Sequence, residues 1–184
     1  MNYLQKHFGQ NFLIDNNIIK KIVNAIETIN TQLAIEIGPG KGALTNELLK
    51  KYEYLVLIEI DKNLCAFLDN YFQAYKEKIT IINFDFIELE KIEVLDILNK
   101  IGFSYKKINF FSNLPYSASS QIIIKMLDYY DLIDNCIFML QKEVADRLTA
   151  QPNTNEYNAL TVLLNSFFEI KQLFNVSPNC FSPK

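Results

Sequence analysis

The chain has 184 residues and a mass of 21.4 kDa, enough for one domain with a substantial core. Hydrophobic residues make up 49% and charged residues 21%, which excludes disordered, collagen-like and coiled-coil classes. The net charge of −3 leans against a nucleic-acid partner, because phosphate contacts draw on a basic excess, although a local basic face stays open.

Ile18, Ile19, Ile22, Val23 and Ile26 recur at helical spacing and predict an amphipathic helix over 16–29. Leu33–Ile37 is an apolar run that stops at Gly38-Pro-Gly-Lys-Gly42, the pattern of a buried strand and a tight turn. A helix over 43–51, a strand over 54–60 and a helix over 62–75 follow, the last capped by Asp61. Next come a strand (78–83), a helix (88–100) and a strand (107–111). Beyond Asn113-Leu-Pro-Tyr116 the pattern predicts a helix (118–130), a strand (136–140) and a helix (142–149). A polar loop at 150–155, a helix over 157–168 and a sixth strand over 169–176 complete the reading. Strands alternating with helices, several apolar throughout, indicate an α/β fold whose mostly parallel sheet has helices on both faces.

Cys65, Cys136 and Cys180 are too far apart for a zinc site or a dense disulfide framework, and suit a reducing, cytoplasmic setting. His7 is the only histidine and lacks partners nearby in sequence, so no metal site is expected. No apolar run reaches the roughly 20 residues of a membrane span, and residues 1–12 lack the apolar core of a signal peptide.

In such sheets ligands bind beyond the carboxyl ends of the strands, so the residues standing there carry the functional reading. After the first strand, Gly38 and Gly40 let the backbone turn and a ligand approach closely. With Ala43 they also fit the nicotinamide-dinucleotide spacing, so the loop alone leaves dinucleotide and nucleoside cofactors equally open. Glu59 ends the second strand, where a carboxylate can accept hydrogen bonds from ribose hydroxyls; capping of the next helix is the plainer role. Asp85, after the third strand, lies between Phe84 and Phe86, and a carboxylate beside an aromatic suits an adenine ring. Asn113-Leu-Pro-Tyr116 follows the fourth strand. Pro115 locks the backbone, so the Leu114 carbonyl and the Asn113 side-chain oxygen can accept both protons of a planar amine while Tyr116 stacks on its ring. That arrangement suits methyl transfer from a sulfonium to an aromatic amine, where positioning is the main contribution.

These motifs occur together with Gln10-Asn-Phe-Leu13, Met139-Leu-Gln-Lys-Glu-Val-Ala-Asp-Arg147 and Phe181-Ser-Pro-Lys184. The set resembles the small-subunit ribosomal RNA adenine dimethyltransferases, the KsgA family, from Gln10 to the last residue. The resemblance displaces the nicotinamide option. It implies a Rossmann-like S-adenosylmethionine-dependent methyltransferase fold over 1–184, with residues 1–15 capping the cofactor. It also implies transfer of methyl groups from S-adenosyl-L-methionine to N6 of two adjacent adenines near the 3′ end of 16S rRNA, leaving S-adenosyl-L-homocysteine. The partner would be the small ribosomal subunit during its biogenesis, and the protein a monomer. Carried over by position, Asn11, Leu13, Gly38, Gly40, Glu59, Asp85 and Asn113 would line the cofactor pocket. Asn113, Leu114, Pro115 and Tyr116 would hold the flipped base, with Phe181 against its other face.

The resemblance also implies a final antiparallel strand and a small C-terminal helical domain, both expected to be missing from a sequence cut within its Phe-x-Pro-x-Pro motif at Lys184. Their loss is expected to leave open pairing edges between strands five and six. Lys6, His7, Lys20, Lys21 and Lys41 could form a basic rim at the cofactor mouth, or simply a solvated helix face. Tyr71, Phe72, Tyr75, Tyr129 and Tyr130 are read as packing residues, and Arg147 as an RNA contact or a partner of Glu143. Two rival readings remain, an adenine methyltransferase acting on large-subunit rRNA and a non-catalytic ribosome assembly factor.

Overall fold

A computed structural model of the chain describes residues 12–26, 31–102 and 106–182. In chain order the elements are β1 (Phe12–Leu13), α1 (Asn16–Val23), β2 (Leu33–Ile37), α2 (Ala43–Leu48), β3 (Tyr54–Glu59), α3 (Lys62–Tyr71) and β4 (Ile79–Asn83). They continue with α4 (Lys91–Ile101), β5 (Ile108–Asn113), α5 (Ser119–Lys125), β6 (Ile133–Met139), α6 (Lys142–Leu148), α7 (Ala159–Asn165) and β7 (Phe181–Ser182).

Five strands form one parallel sheet in the order β4-β3-β2-β5-β6. The period-2 alternation of strand side chains divides the core into two layers. Leu33, Ile35 and Ile37 of β2, with Val56 and Ile58 of β3, pack with Val94, Leu98, Ile122 and Leu164 from α4, α5 and α7, and with Met126 just beyond α5. Ala34, Leu55 and Leu57 face the other way, onto Ile19, Ile22, Leu44, Leu48 and Leu68 from α1, α2 and α3. Both faces are therefore covered, and the fold is Rossmann-like. The chain builds outward from β2 to β4 on one side, then returns through β5 to β6 on the other. The order of strands thus reverses between β2 and β5, which opens a crevice beyond their carboxyl ends.

Local chemistry sets the helix bounds. Asp15 caps α1 by accepting from the Asn17 and Ile18 N–H groups, and Asp61 caps α3 by accepting from Asn63. The α4 helix starts three residues later than the sequence pattern indicates. Asp85 holds 85–89 in a turn of its own, and a capping box between Glu90 and Glu93 then opens the helix. Beyond α5 the chain tightens into a 3-10 turn over Met126–Tyr129.

Other bounds shift as well: α1 ends at Val23, α7 covers only Ala159–Asn165 and β6 starts at Ile133. Two further expectations need correction. Residues 169–176 form no strand, although Phe168, Ile170, Phe174 and Val176 are half-buried and alternate with exposed neighbours. No strand among the described residues lies between this segment and β6, so the pattern is present without a ladder to complete it. Accordingly β6 is the sheet edge, half-buried along its whole length. The second concerns the aromatics. Phe72 and Tyr129 are core residues, whereas Tyr71, Tyr75 and Tyr130 are exposed, with Tyr71 still packed on the rings of Phe67 and Phe72 and Tyr130 on that of Phe167. A pairing absent from the sequence reading joins β1 to β7, antiparallel, with Leu13 opposite Phe181.

Candidate active site

One cavity of about 1470 Å³ opens at the strand-order reversal and continues along the free side of β6. It exceeds the roughly 300–1,000 Å³ of ordinary small-molecule sites because it merges the crevice with the space between β6 and residues 168–176. Leu13, Gly38, Gly40, Glu59, Asp85, Asn113, Leu114, Pro115, Tyr116 and Phe181 all line it. Asn11, Lys6 and His7 lie outside the described residues.

On the β2–β3 side, Gly38, Gly40 and Gly42 all have positive φ, which lets the loop curl beneath the crevice. A side chain on Gly40 would meet the Phe12 ring at 3.0 Å, so this glycine is needed for close approach as well as for φ. Glu59 is 3% exposed; its two carboxylate oxygens accept from the Gly40 N–H (3.1 Å) and the Asp61 N–H (3.0 Å). Burial pushes its pKa up against those two hydrogen bonds. Each oxygen keeps a lone pair for a further donor, so bracing the loop and accepting ligand hydroxyls are compatible roles. The helix cap in this region is Asp61.

Glu36 lines the same cavity from β2 and is fully buried. It accepts from the Thr45 hydroxyl at 2.6 Å, and burial pushes its pKa to about 8, with the Glu59 charge adding to the rise. Strand ends around the crevice are tied by side chains: Ser112 donates to the Ile37 carbonyl (2.6 Å), and Asn83 donates to the carbonyls of Glu59 and Ile60 (2.9 and 3.1 Å). Asp85 accepts from the Ile87 N–H with one oxygen. Of its aromatic neighbours, Phe86 is 3% exposed and stacks on Tyr129 in the core, while Phe84 is 44% exposed at the cavity. Phe84 and Ile60 therefore present the apolar surfaces a flat ring could use.

On the β5 side, Asn113 ends its strand opposite Met139, and the Leu114 N–H donates to the Met139 carbonyl at 3.1 Å. That bond and the buried Leu114 side chain fix the corner, while the Leu114 carbonyl accepts no N–H from the described residues. Tyr116 is 54% exposed at the rim. Phe181, half-buried in β7, reaches the same cavity from the far end of the chain. The site thus combines a glycine loop and carboxyls on one wall with an acceptor-rich, aromatic-flanked corner on the other. Such a pair of walls can hold a nucleoside-like ligand beside a planar amine.

Sequence reasoning gave no role to Glu36, Ile60, Asn83 or Ser112, although Glu36 and Ile60 lie inside the motifs that carry the resemblance, and it did not decide between Phe84 and Phe86. Ile60 and Phe84 adjoin residues it singled out; Asn83 and Ser112 act through pairings between distant strands, which carry no local signal. Of the proposed basic rim, Lys41 Nζ sits 4.9 Å from the Phe12 ring centroid and Lys21 Nζ 4.0 Å from that of Phe174. On α6 the ion pair is Lys142–Asp146, 2.8 Å, rather than Glu143–Arg147.

A model of the family described as ribosomal RNA adenine dimethylase matches residues 1–184. The chain is 45% identical over 186 aligned residues to a protein of Malacoplasma penetrans named ribosomal RNA small subunit methyltransferase A. That alignment covers 99% of this chain and 62% of the relative. A protein of the same name from Mycoplasma capricolum is 40% identical, with 97% and 65% covered. The chain therefore spans less than two-thirds of the length of these curated relatives. Among solved structures it is similar to a dimethyladenosine transferase from Plasmodium falciparum, with TM-score 0.67 and 25% identity over 82% of this chain and 50% of that one. It is also similar to the 23S rRNA methyltransferase ErmE, with TM-score 0.61 and 25% identity over 83% and 56%.

Proposed function

The chain belongs to the ribosomal RNA adenine dimethylase family, and on that premise we propose that it methylates N6 of adenines in the 16S rRNA of the small ribosomal subunit, using S-adenosyl-L-methionine. The observation that carries this reading is the meeting, in one cavity at the strand-order reversal, of the Gly38–Gly42 loop with the Asn113–Tyr116 corner.

The residues fit the donor chemically. Glu59 has lone pairs for ribose hydroxyls, Asp85 can accept from an adenine amine, and Ile60 and Phe84 offer apolar faces to its ring. Leu13, Gly38, Gly40 and Asn113 complete this wall, and Asn11 is assigned with them on its motif alone. When bound, the donor supplies an electrophilic methyl on a sulfonium, whose loss leaves a neutral thioether. The Asn113 side-chain oxygen and the Leu114 carbonyl would accept the two N6 protons and so orient the nitrogen for attack on the donor. Pro115 holds that geometry, and Tyr116 and Phe181 grip the base between them. Orientation of this kind supplies about 7–11 kcal/mol of barrier lowering. No base has to remove a proton before attack; the methylated nitrogen sheds its proton afterwards to solvent. By its family we assign the protein as a cytoplasmic monomer. Among the described residues no helix is long and apolar enough to cross a membrane.

The likeness to ErmE supports a second reading, with a large-subunit adenine as target. Purified chain incubated with small or large subunits and methyl-labelled donor separates the two. Label is expected in 16S rRNA and is expected to drop about a hundredfold or more in Asn113→Ala, with subunit binding retained. Label confined to the large subunit establishes the second reading. Binding of small subunits without any labelling leaves an assembly factor instead.

A further inference from the structure

We propose that the β1–β7 pairing is a clasp through which filling of the donor pocket sets Phe181 against the target base. The inference rests on the assignment above of the Gly38–Gly42 loop to the donor and of Phe181 to the base. Phe12–Leu13 and Phe181–Ser182 pair antiparallel, and the Ile14 N–H donates to the Cys180 carbonyl at 2.8 Å. Two strands of two residues are too short to hold themselves together, so the clasp takes its order from what it rests on. One support is Leu13, buried in the α1–α3 layer of the core. The other is the donor loop itself: the Phe12 ring lies within 3.0 Å of where a Gly40 side chain would begin, and Lys41 stands over that ring. The Phe12 ring thus adjoins the donor loop, and the backbone of Phe12–Leu13 pairs with that of Phe181–Ser182, so the route from loop to base face is one side-chain contact and one strand pairing long.

A ligand that braces Gly38–Gly42 against Glu59 fixes the seat of Phe12, and with it the register Leu13↔Phe181. The base face is then complete only when the donor is in place. Linkage requires the reverse as well: a base held by Phe181 tightens donor binding by the same factor.

Hydrogen exchange with S-adenosylhomocysteine at saturation tests this. In the unmodified chain, protection is expected to rise over residues 36–45 and, by fivefold or more, over 178–182. In Phe12→Ala, which keeps every clasp backbone bond, and in Ile14→Pro, which removes the bond to Cys180, protection at 36–45 is expected to persist while the rise at 178–182 disappears. Protection at 36–45 without any change at 178–182 in the unmodified chain overturns the clasp and leaves the donor assignment standing. A rise at 178–182 that survives in both variants overturns it too. If neither segment responds in the unmodified chain, the donor assignment fails and the clasp falls with it.

Discussion

Tyr129 shows how a single group can be out of balance inside a well-packed layer. Its ring is 0% exposed, stacked on Phe86 and edge-on to Phe110, yet its hydroxyl has no hydrogen-bond partner among the described residues. Burial raises the phenol's pKa, in keeping with a group cut off from water. Tyr129→Phe keeps the ring contacts and removes the stranded hydroxyl, so stability is expected to rise by about 1 kcal/mol, read from the urea midpoint. Glu36 is the opposite case, a buried carboxyl with a good partner. Its folded pKa of about 8 lies above the ordinary 4.5, so the folded state holds a proton that the unfolded chain gives up between those values. Its contribution is full below pH 4.5 and is lost as pH rises through 8. Stability is expected to fall by up to about 1.4 kcal/mol per pH unit in that window. Glu36→Gln keeps an acceptor for Thr45 and is expected to flatten the slope, leaving the smaller share of Glu59. Urea melts at pH 5, 6, 7 and 8 measure both. Neither role was legible in the sequence, where Glu36 heads the glycine-loop motif without showing its burial or its Thr45 partner, and Tyr129 is one of two adjacent tyrosines.

At the level of elements, the existence and order of the strands and helices from α1 to α7 were legible locally, while several of their bounds were not. Apolar runs stopping at a glycine or a polar residue located β2, β3 and β4, and the loops beyond β2 and β5 carried both halves of the site. What depended on a distant partner was hidden. Residues 169–176 have the alternation of a strand, but a strand exists only against a neighbour, and sequence pattern says nothing about whether one is there. The clasp escaped notice for the same reason, since two residues are too few to show a period and their partners lie at the opposite end of the chain. Phe84 and Phe86 flank the same aspartate, and only packing against Tyr129 decides which of them enters the core. Gly42 is a position where local and distant demands coincide. It has φ +80° at the start of α2, and a side chain there would stand 2.7 Å from the Phe72 ring. Gly42→Ala meets backbone strain and a buried ring together. It is expected to cost about 2 kcal/mol, more than an open left-handed position, with a matching fall in melting temperature.

For the whole molecule, the sheet divides stability unevenly. β2 and β3 are buried on both faces and paired on both sides, whereas β6 has β5 on one side and the cavity on the other. The polar contacts that hold β6 sit toward its start. Asn135 donates to Asn109, which in turn donates to the Tyr52 hydroxyl, and this chain of bonds runs beside the register shift at Ile108 and Asn109. Toward Met139 the strand adjoins the Asn113–Leu114 corner, so the part of the sheet that positions the proposed base site is also the part with an open side. Amide exchange followed residue by residue gives the test. The β2 and β3 amides are expected to exchange only through global unfolding, and alternate amides of β6, those facing away from β5, to exchange through local opening at a far lower free energy. Equal protection on the two sides of β6 would mean that the space beside it is closed in solution. The Asn113 corner would then rest on a rigid strand instead of an edge able to yield as a base enters.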